Sequence, residues 1–224
     1  MINKYVLPKL IFALLPALLF LLPAKAQPFL EEIVAFRKLD SITKPPRDPI
    51  LFVGSSSFRM WTNMQQDFRM YPVLNRGFGG SSLTDVIRYA DRLIVPYKPS
   101  QVIIYAGDND LASSDTVTAQ IVSDRFQQLF NIIRKQMPDV SIAFVSIKPS
   151  PSREHLLQKV IHANELIKIF LKSQPKTAYI DVFSAMIDQQ GNPKPELFID
   201  DRLHMNQKGY AIWVQIIEPY LIKK

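Results

Sequence analysis

Ile50-Leu51-Phe52-Val53-Gly54-Ser55-Ser56-Ser57 is the stretch around which the chain is organised. Four apolar residues run straight into a glycine and three serines. A short, continuous apolar run bounded by Gly and Ser predicts a strand buried on both faces, as in a parallel sheet. In open parallel sheets, ligands bind just past the carboxyl ends of the strands, so these serines sit where chemistry belongs. On this stretch alone two readings stand: a nucleophilic serine, or a serine-rich turn.

On the N-terminal side, Phe29, Ile33 and Phe36 recur at helical spacing, and Pro45, Pro46 and Pro49 end that helix. On the C-terminal side, residues 73–75 predict a brief second strand, followed by Arg76-Gly77-Phe78-Gly79-Gly80. Three glycines in four positions let backbone approach a ligand or turn with positive φ. Ser82 and Asp85 form a capping-box pattern ahead of a helix that carries Leu83, Val86, Ile87, Ala90 and Ile94 on one face. Residues 102–106, 142–147 and 179–182 predict three more strands. The first of these runs into Gly107-Asp108-Asn109-Asp110, the second into Lys148-Pro149-Ser150-Pro151. Helical patterns through Phe126 and Phe130, through Val160 and Ile167, and through Trp213 and Ile217 fill the gaps. Asn206 is the expected N-cap of the last. Alternating strands and helices imply an α/β domain over residues 27–224, a five-stranded parallel sheet covered on both faces.

Residues 1–26 read as a secretory signal peptide: Lys4 and Lys9 precede an apolar run from Leu10 to Leu22, and Ala24-Lys25-Ala26 resembles a cleavage site. The run falls short of the ~20 residues of a spanning helix, so no stable membrane anchor is expected. Export to the periplasm or outside the cell is the expectation. Removing 26 residues from 224 leaves 198 and takes the net charge from +7 to +4. Without a basic stripe or motif, nucleic-acid binding is not expected. The absence of cysteine rules out disulfides, thiol catalysis and cysteine metal sites.

The strand ends carry Ser55-Ser56-Ser57, Gly79-Gly80 and Asn109, and Asp200-Asp201-Arg202-Leu203-His204 follows near the C-terminus. Together these supply the parts of an acyl-transfer site: a serine to attack, a histidine to take its proton, a carboxylate to orient the imidazole, and amide donors for an oxyanion. The α/β-hydrolase elbow G-x-S-x-G is not present, because Phe58 stands where its second glycine belongs.

The blocks FVGSSSFRMW, NRGFGGSS, YAGDNDL and DDRLHMNQKGY resemble, in this order, the four blocks of the SGNH hydrolases, or GDSL-type esterases. The resemblance spans nearly the whole chain after residue 26. It implies a three-layer α/β/α sandwich of flavodoxin-like type and a serine esterase acting on carboxylic esters of sugars, lipids or small molecules. It implies Ser56 as nucleophile and Asp201 and His204 as its partners. The Ser56 and Gly80 N–H groups and the Asn109 amide are the implied oxyanion donors, and no cofactor or metal is needed. The family's aspartate before the nucleophile is Ser55 here, expected to hydrogen-bond within the turn and leave activity intact. The alternatives are an acyltransferase to a sugar hydroxyl and a non-catalytic binding module on the same fold.

Other candidates receive structural readings. His155 and His162 fall on a predicted helix as surface or packing residues. Asp108 and Asp110 are expected to hydrogen-bond within their loop rather than hold a metal. Arg153 is expected in solvent on the active-site side, within reach of an anionic substrate. Trp61 and Trp213 read as core or pocket wall.

Overall fold

The computed structural model describes residues 27–223; the leader expected over residues 1–26 lies outside them. In chain order, α1 (Leu30–Ile42) leads to β1 (Ile50–Gly54), the short turns α2 (Ser56–Arg59) and α3 (Met64–Asp67), and β2 (Val73–Gly77). Then come α4 (Leu83–Leu93), β3 (Gln101–Tyr105), α5 (Asp108–Ala112), α6 (Ala119–Gln136) and β4 (Ser141–Val145). A 3-10 segment at Pro151–Leu156, α7 (Leu157–Lys172), β5 (Thr177–Ile180) and α8 (Gln207–Ile217) complete the domain. The five strands pair in parallel in the order β2-β1-β3-β4-β5. β1 is therefore flanked by the strands that follow it on either side. That is the switch point at which such sheets open a ligand crevice.

Alternation along each strand divides the core in two. Leu51 and Val53 of β1, Val102 and Ile104 of β3 and Ile142 and Phe144 of β4 pack with α1, α4, α6 and α7. Ile50, Phe52, Ile103, Tyr105 and Val145 face the other way, against Phe58, Trp61, Phe68 and, from α8, Trp213 and Ile217. The result is the expected three-layer sandwich. α4 starts with the Ser82–Asp85 capping box, and α8 is capped by Asn206 Oδ1, which accepts the Lys208 and Gly209 N–H groups.

Several strand limits differ from the sequence reading. β2 extends two residues to Gly77, because Arg76 and Gly77 still pair with Val53 and Gly54. β4 stops at Val145 although Ser146 and Ile147 are buried. Past Val145 one backbone bond remains, from the Ser146 N–H to the Ile180 carbonyl at 2.9 Å, and then side chains take over: Asn164 of α7 takes the Ile147 N–H at 2.8 Å and donates to its carbonyl at 2.9 Å. Ser146 Oγ accepts the Val182 and Phe183 N–H groups, both at 3.0 Å. Burial continues past the last ladder bond, so an apolar run overstates strand length.

Gly54 ends β1 at φ 139°, and a Cβ there would lie 1.8 Å from the Tyr105 carbonyl oxygen. Gly54→Ala is expected to cost roughly 2–4 kcal/mol, from backbone strain and from displacing β3. Urea unfolding followed by circular dichroism measures it, and a loss below ~0.5 kcal/mol would contradict the close approach of β1 and β3.

Candidate active site

Gly54 turns the chain out of the sheet, and Ser55 follows in extended conformation as the N-cap of α2. Its N–H donates to the Tyr105 carbonyl at 3.0 Å, and its carbonyl accepts the Phe58 and Arg59 N–H groups. Phe58 anchors the turn in the core, with its ring 5.2 Å from Phe52 and 6.0 Å from Trp213. Ser55 and Ser57 are buried at 1 % exposure each, whereas Ser56 is half-buried. The Ser56 N–H, in the first helical position, makes no hydrogen bond among the described residues. That leaves a donor directed past the strand end.

Residues 200–204 form a loop rather than a helical turn, with Arg202 in the left-handed region at φ 56°. Asp201 Oδ1 accepts the Leu203 and His204 N–H groups, both at 2.9 Å. Its Oδ2 lies 2.5 Å from His204 Nδ1, and His204 Nε2 lies 2.9 Å from Ser56 Oγ. Partial burial raises the Asp201 carboxyl's pKa, but the His204 ring and the two backbone donors outweigh it and bring the pKa down to about 2. Asp201 is therefore a carboxylate at any working pH and faces the imidazole as an acceptor. Asp200 is exposed and takes no part in this chain of contacts. Asn206 braces the loop through Nδ2, which donates to the Glu196 and Phe198 carbonyls.

Gly80 follows β2 at φ 66°, with open space where a Cβ would stand, and its N–H has no partner among the described residues. Ser81 ties this loop down. Its hydroxyl lies 3.1 Å from the Gly54 carbonyl, and its own carbonyl accepts Asn109 Nδ2 at 3.0 Å. Asn109 belongs to α5, just past the end of β3. It stands beside the Ser56 turn because β3 pairs with β1, Tyr105 opposite Gly54. Ser56, Gly80, Asn109 and the Asp201–His204 pair thus converge from four loops on one end of the sheet. The arrangement can deprotonate a hydroxyl at Ser56 and offer N–H donors beside it.

A groove of about 400 Å³ runs beside the His204 loop, lined by Met60, Trp61, Asp67, Asn206, Tyr210 and Val214 among others. Trp61 and Tyr210 lie 5.0 Å apart, and Trp61 Nε1 donates to Asp67 at 2.6 Å. Among the described residues no group of three or more His, Asp or Glu is arranged to hold a metal ion, and no helix is long and apolar enough to cross a membrane.

Residues 40–212 match the GDSL-like lipase/acylhydrolase family. The chain belongs to that family. Solved structures agree on its fold. A candidate platelet activating factor from Streptococcus pneumonia superimposes with TM-score 0.75 at 21% identity, covering 86% of this chain and 92% of that one. A GDSL-like lipase from Bacteroides thetaiotaomicron gives 0.72 at 17% identity, over 84% and 96%. A carbohydrate esterase of family 3 from Talaromyces cellulolyticus gives 0.60 at 16% identity, over 76% and 94%. No curated protein matches significantly in sequence.

Within this GDSL-family fold two expectations are corrected. Ser55 Oγ is buried and has no hydrogen-bond partner among the described residues, so backbone bonds hold the turn without it. Arg153 is half-buried and paired rather than free in solvent. Its Nη2 donates to Asn109 Oδ1 at 2.9 Å and its Nη1 lies 3.2 Å from Asp108 Oδ2. His155 and His162 are exposed, His155 on the 3-10 segment ahead of α7. Asp110 is fully buried and accepts the Leu83 N–H at 2.8 Å and Arg125 at 2.7 Å, joining α4 to α6. The sequence reading missed Lys148, whose ammonium is buried 3.7 Å from Asp108. The available signal was a basic residue on each side of Pro149-Ser150-Pro151, at a strand end next to one bearing Asp108.

Proposed function

We propose that this GDSL-family acylhydrolase is an exported serine esterase in which Ser56 is the nucleophile. The observation that carries the proposal is the continuous relay from Asp201 Oδ2 to His204 Nδ1 and from His204 Nε2 to Ser56 Oγ, at 2.5 and 2.9 Å. In the proposed reaction Ser56 Oγ attacks the ester carbonyl as His204 Nε2 takes its proton. Asp201 holds the ring in the tautomer that leaves Nε2 free to accept, and it stabilises the imidazolium that forms. The tetrahedral oxyanion receives the Ser56 and Gly80 N–H groups and one Asn109 Nδ2 hydrogen. His204 then protonates the departing alkoxide; the same nitrogen next deprotonates a water that attacks the acyl carbon, and it returns that proton to Ser56 Oγ as the acid leaves.

The proposed substrates are acyl or acetyl esters of sugars, lipids or small molecules. An acetylated glycan is favoured by the fold shared with a carbohydrate esterase. The groove beside His204 offers the alcohol part an amphipathic wall in Trp61 and Tyr210. Export rests on the leader pattern in residues 1–26. A fluorophosphonate should label one serine per chain, Ser56, and block hydrolysis of nitrophenyl acetate; labelling elsewhere, or none, would overturn the proposal. A chain-length series of nitrophenyl esters, then acetylated glycans, ranks the substrates.

Asn109→Ala is expected to lower kcat by roughly 10²–10³ with little change in KM, because full charge on the oxyanion develops only near the transition state. A change confined to KM would make Asn109 a substrate-binding residue instead.

A further inference from the structure

The Asn109 amide is held at both ends. Nδ2 gives one hydrogen to the Ser81 carbonyl at 3.0 Å, and Oδ1 accepts Arg153 Nη2 at 2.9 Å. A flipped amide would place its NH₂ against the guanidinium and its oxygen against a carbonyl, a double mismatch. The second Nδ2 hydrogen is then the one left to point at a ligand.

Beneath this contact lies a charged cluster that the triad itself does not use. Asp108 is its hub. Asp108 Oδ1 accepts the Asn109 N–H at 2.9 Å, while Oδ2 lies 3.3 Å from the Tyr105 hydroxyl, 3.2 Å from Arg153 Nη1 and 3.7 Å from Lys148 Nζ. Burial pushes the Tyr105 phenol up, so it remains a donor. Lys148 and Arg153 bring two cations to this one carboxylate. Lys148 Nζ and Arg153 Nη1 are both buried without a hydrogen bond among the described residues. Burying charge so incompletely paired is costly, and such arrangements persist where they orient something. The same segment reaches the other side of the site, because the Ser152 N–H donates to the Arg202 carbonyl at 3.1 Å, inside the Asp201–His204 loop.

We infer that Arg153, held by Asp108, is a positioning residue for the oxyanion site: its guanidinium locks the Asn109 amide with Nδ2 toward the oxyanion. Its charge-assisted bond to Oδ1 also polarises the amide, which makes Nδ2–H a stronger donor. The inference rests on the esterase reading and adds to it a residue outside the four sequence blocks.

The test is a double-mutant cycle on nitrophenyl acetate hydrolysis, with Arg153→Met, Arg153→Lys and Asn109→Ala, each checked for folding by circular dichroism. Arg153→Met is expected to lower kcat roughly 10–100-fold with KM within about twofold, less than outright loss of an oxyanion donor. Arg153→Lys, one point donor without the fork, should recover part of the loss. In the Asn109→Ala background either substitution should change kcat less than about twofold, because the group it positions is gone. Equal losses in both backgrounds would assign Arg153 to the stability of the His204 loop and overturn the inference. If Arg153→Met does not fold, Arg153→Lys carries the cycle with the same two outcomes. Hydrolysis that survives Ser56→Ala overturns the esterase reading and the inference together. Hydrolysis that depends on Ser56, with additive Arg153 and Asn109 effects, overturns the inference alone.

Discussion

Ser56→Ala is expected to abolish ester hydrolysis, with kcat falling by about 10⁶ where Ser55→Ala and Ser57→Ala keep most of theirs. Three serines stand in a row, and their surroundings separate them. Only Ser56 has its hydroxyl beside an imidazole nitrogen, at 2.9 Å, and only Ser56 is open to solvent. Ser55 Oγ makes no hydrogen bond, so its deletion removes none. Removing a buried hydroxyl that lacks a partner changes stability by no more than about 1 kcal/mol in either direction. Ser57 meets Tyr210 through its backbone carbonyl, at 2.9 Å, a bond alanine keeps; its hydroxyl contacts the Tyr105 phenol and not His204, so alanine gives up that contact and leaves the relay intact. Initial rates with nitrophenyl acetate, together with the intact mass of the fluorophosphonate adduct, read the result. A dead Ser55→Ala or Ser57→Ala beside an active Ser56→Ala would move the nucleophile.

The second large effect is at Asp201. Asp201→Asn is expected to lower kcat by roughly 10–10⁴, and Asp200→Asn by less than about threefold. The carboxylate accepts three N–H groups: the imidazole Nδ1–H and the backbone of Leu203 and His204. An asparagine has one oxygen for these three donors. If its NH₂ faces the ring, Nδ1 must accept and Nε2 must carry the proton, which leaves no base for Ser56. If its NH₂ faces the loop, it meets two N–H groups and the loop must move. The pH profile gives an independent reading. Asp201, at about 2, is already ionised where the enzyme works, so an acid limb in kcat/KM at higher pH belongs to another group. A larger loss from Asp200→Asn than from Asp201→Asn would reassign the carboxylate and leave Ser56 and His204 in place.

The oxyanion side shows how far a local pattern reaches. The G-D-N-D block names Asn109 through resemblance, but nothing near position 109 tells which way its amide faces. Arg153 decides that from 44 residues away, across the gap between two neighbouring strand ends. A basic residue after Pro149-Ser150-Pro151 reads as solvated because arginine usually is. Only the juxtaposition with Asp108 reveals a partner. Ser55 errs in the opposite direction: a serine in a turn usually bonds its neighbours, but here its Oγ is buried without a partner among the described residues while its backbone N–H and carbonyl hold the turn.

The order of strands and helices, the parallel sheet, the Ser82–Asp85 cap and the Asn206 cap follow from the sequence by itself. Each depends on residues within one or two turns of one another, where periodicity and capping chemistry act. The family, too, was legible, because its four blocks keep their order along the chain. Tertiary structure alone decided which strand lies beside which, where β4 stops, and what locks Asn109. These are contacts between segments far apart in the chain. Their energies depend on burial and on partners that no local pattern names, as with Asn164 closing the end of β4 and Asp108 gathering Tyr105, Lys148 and Arg153 beneath the site.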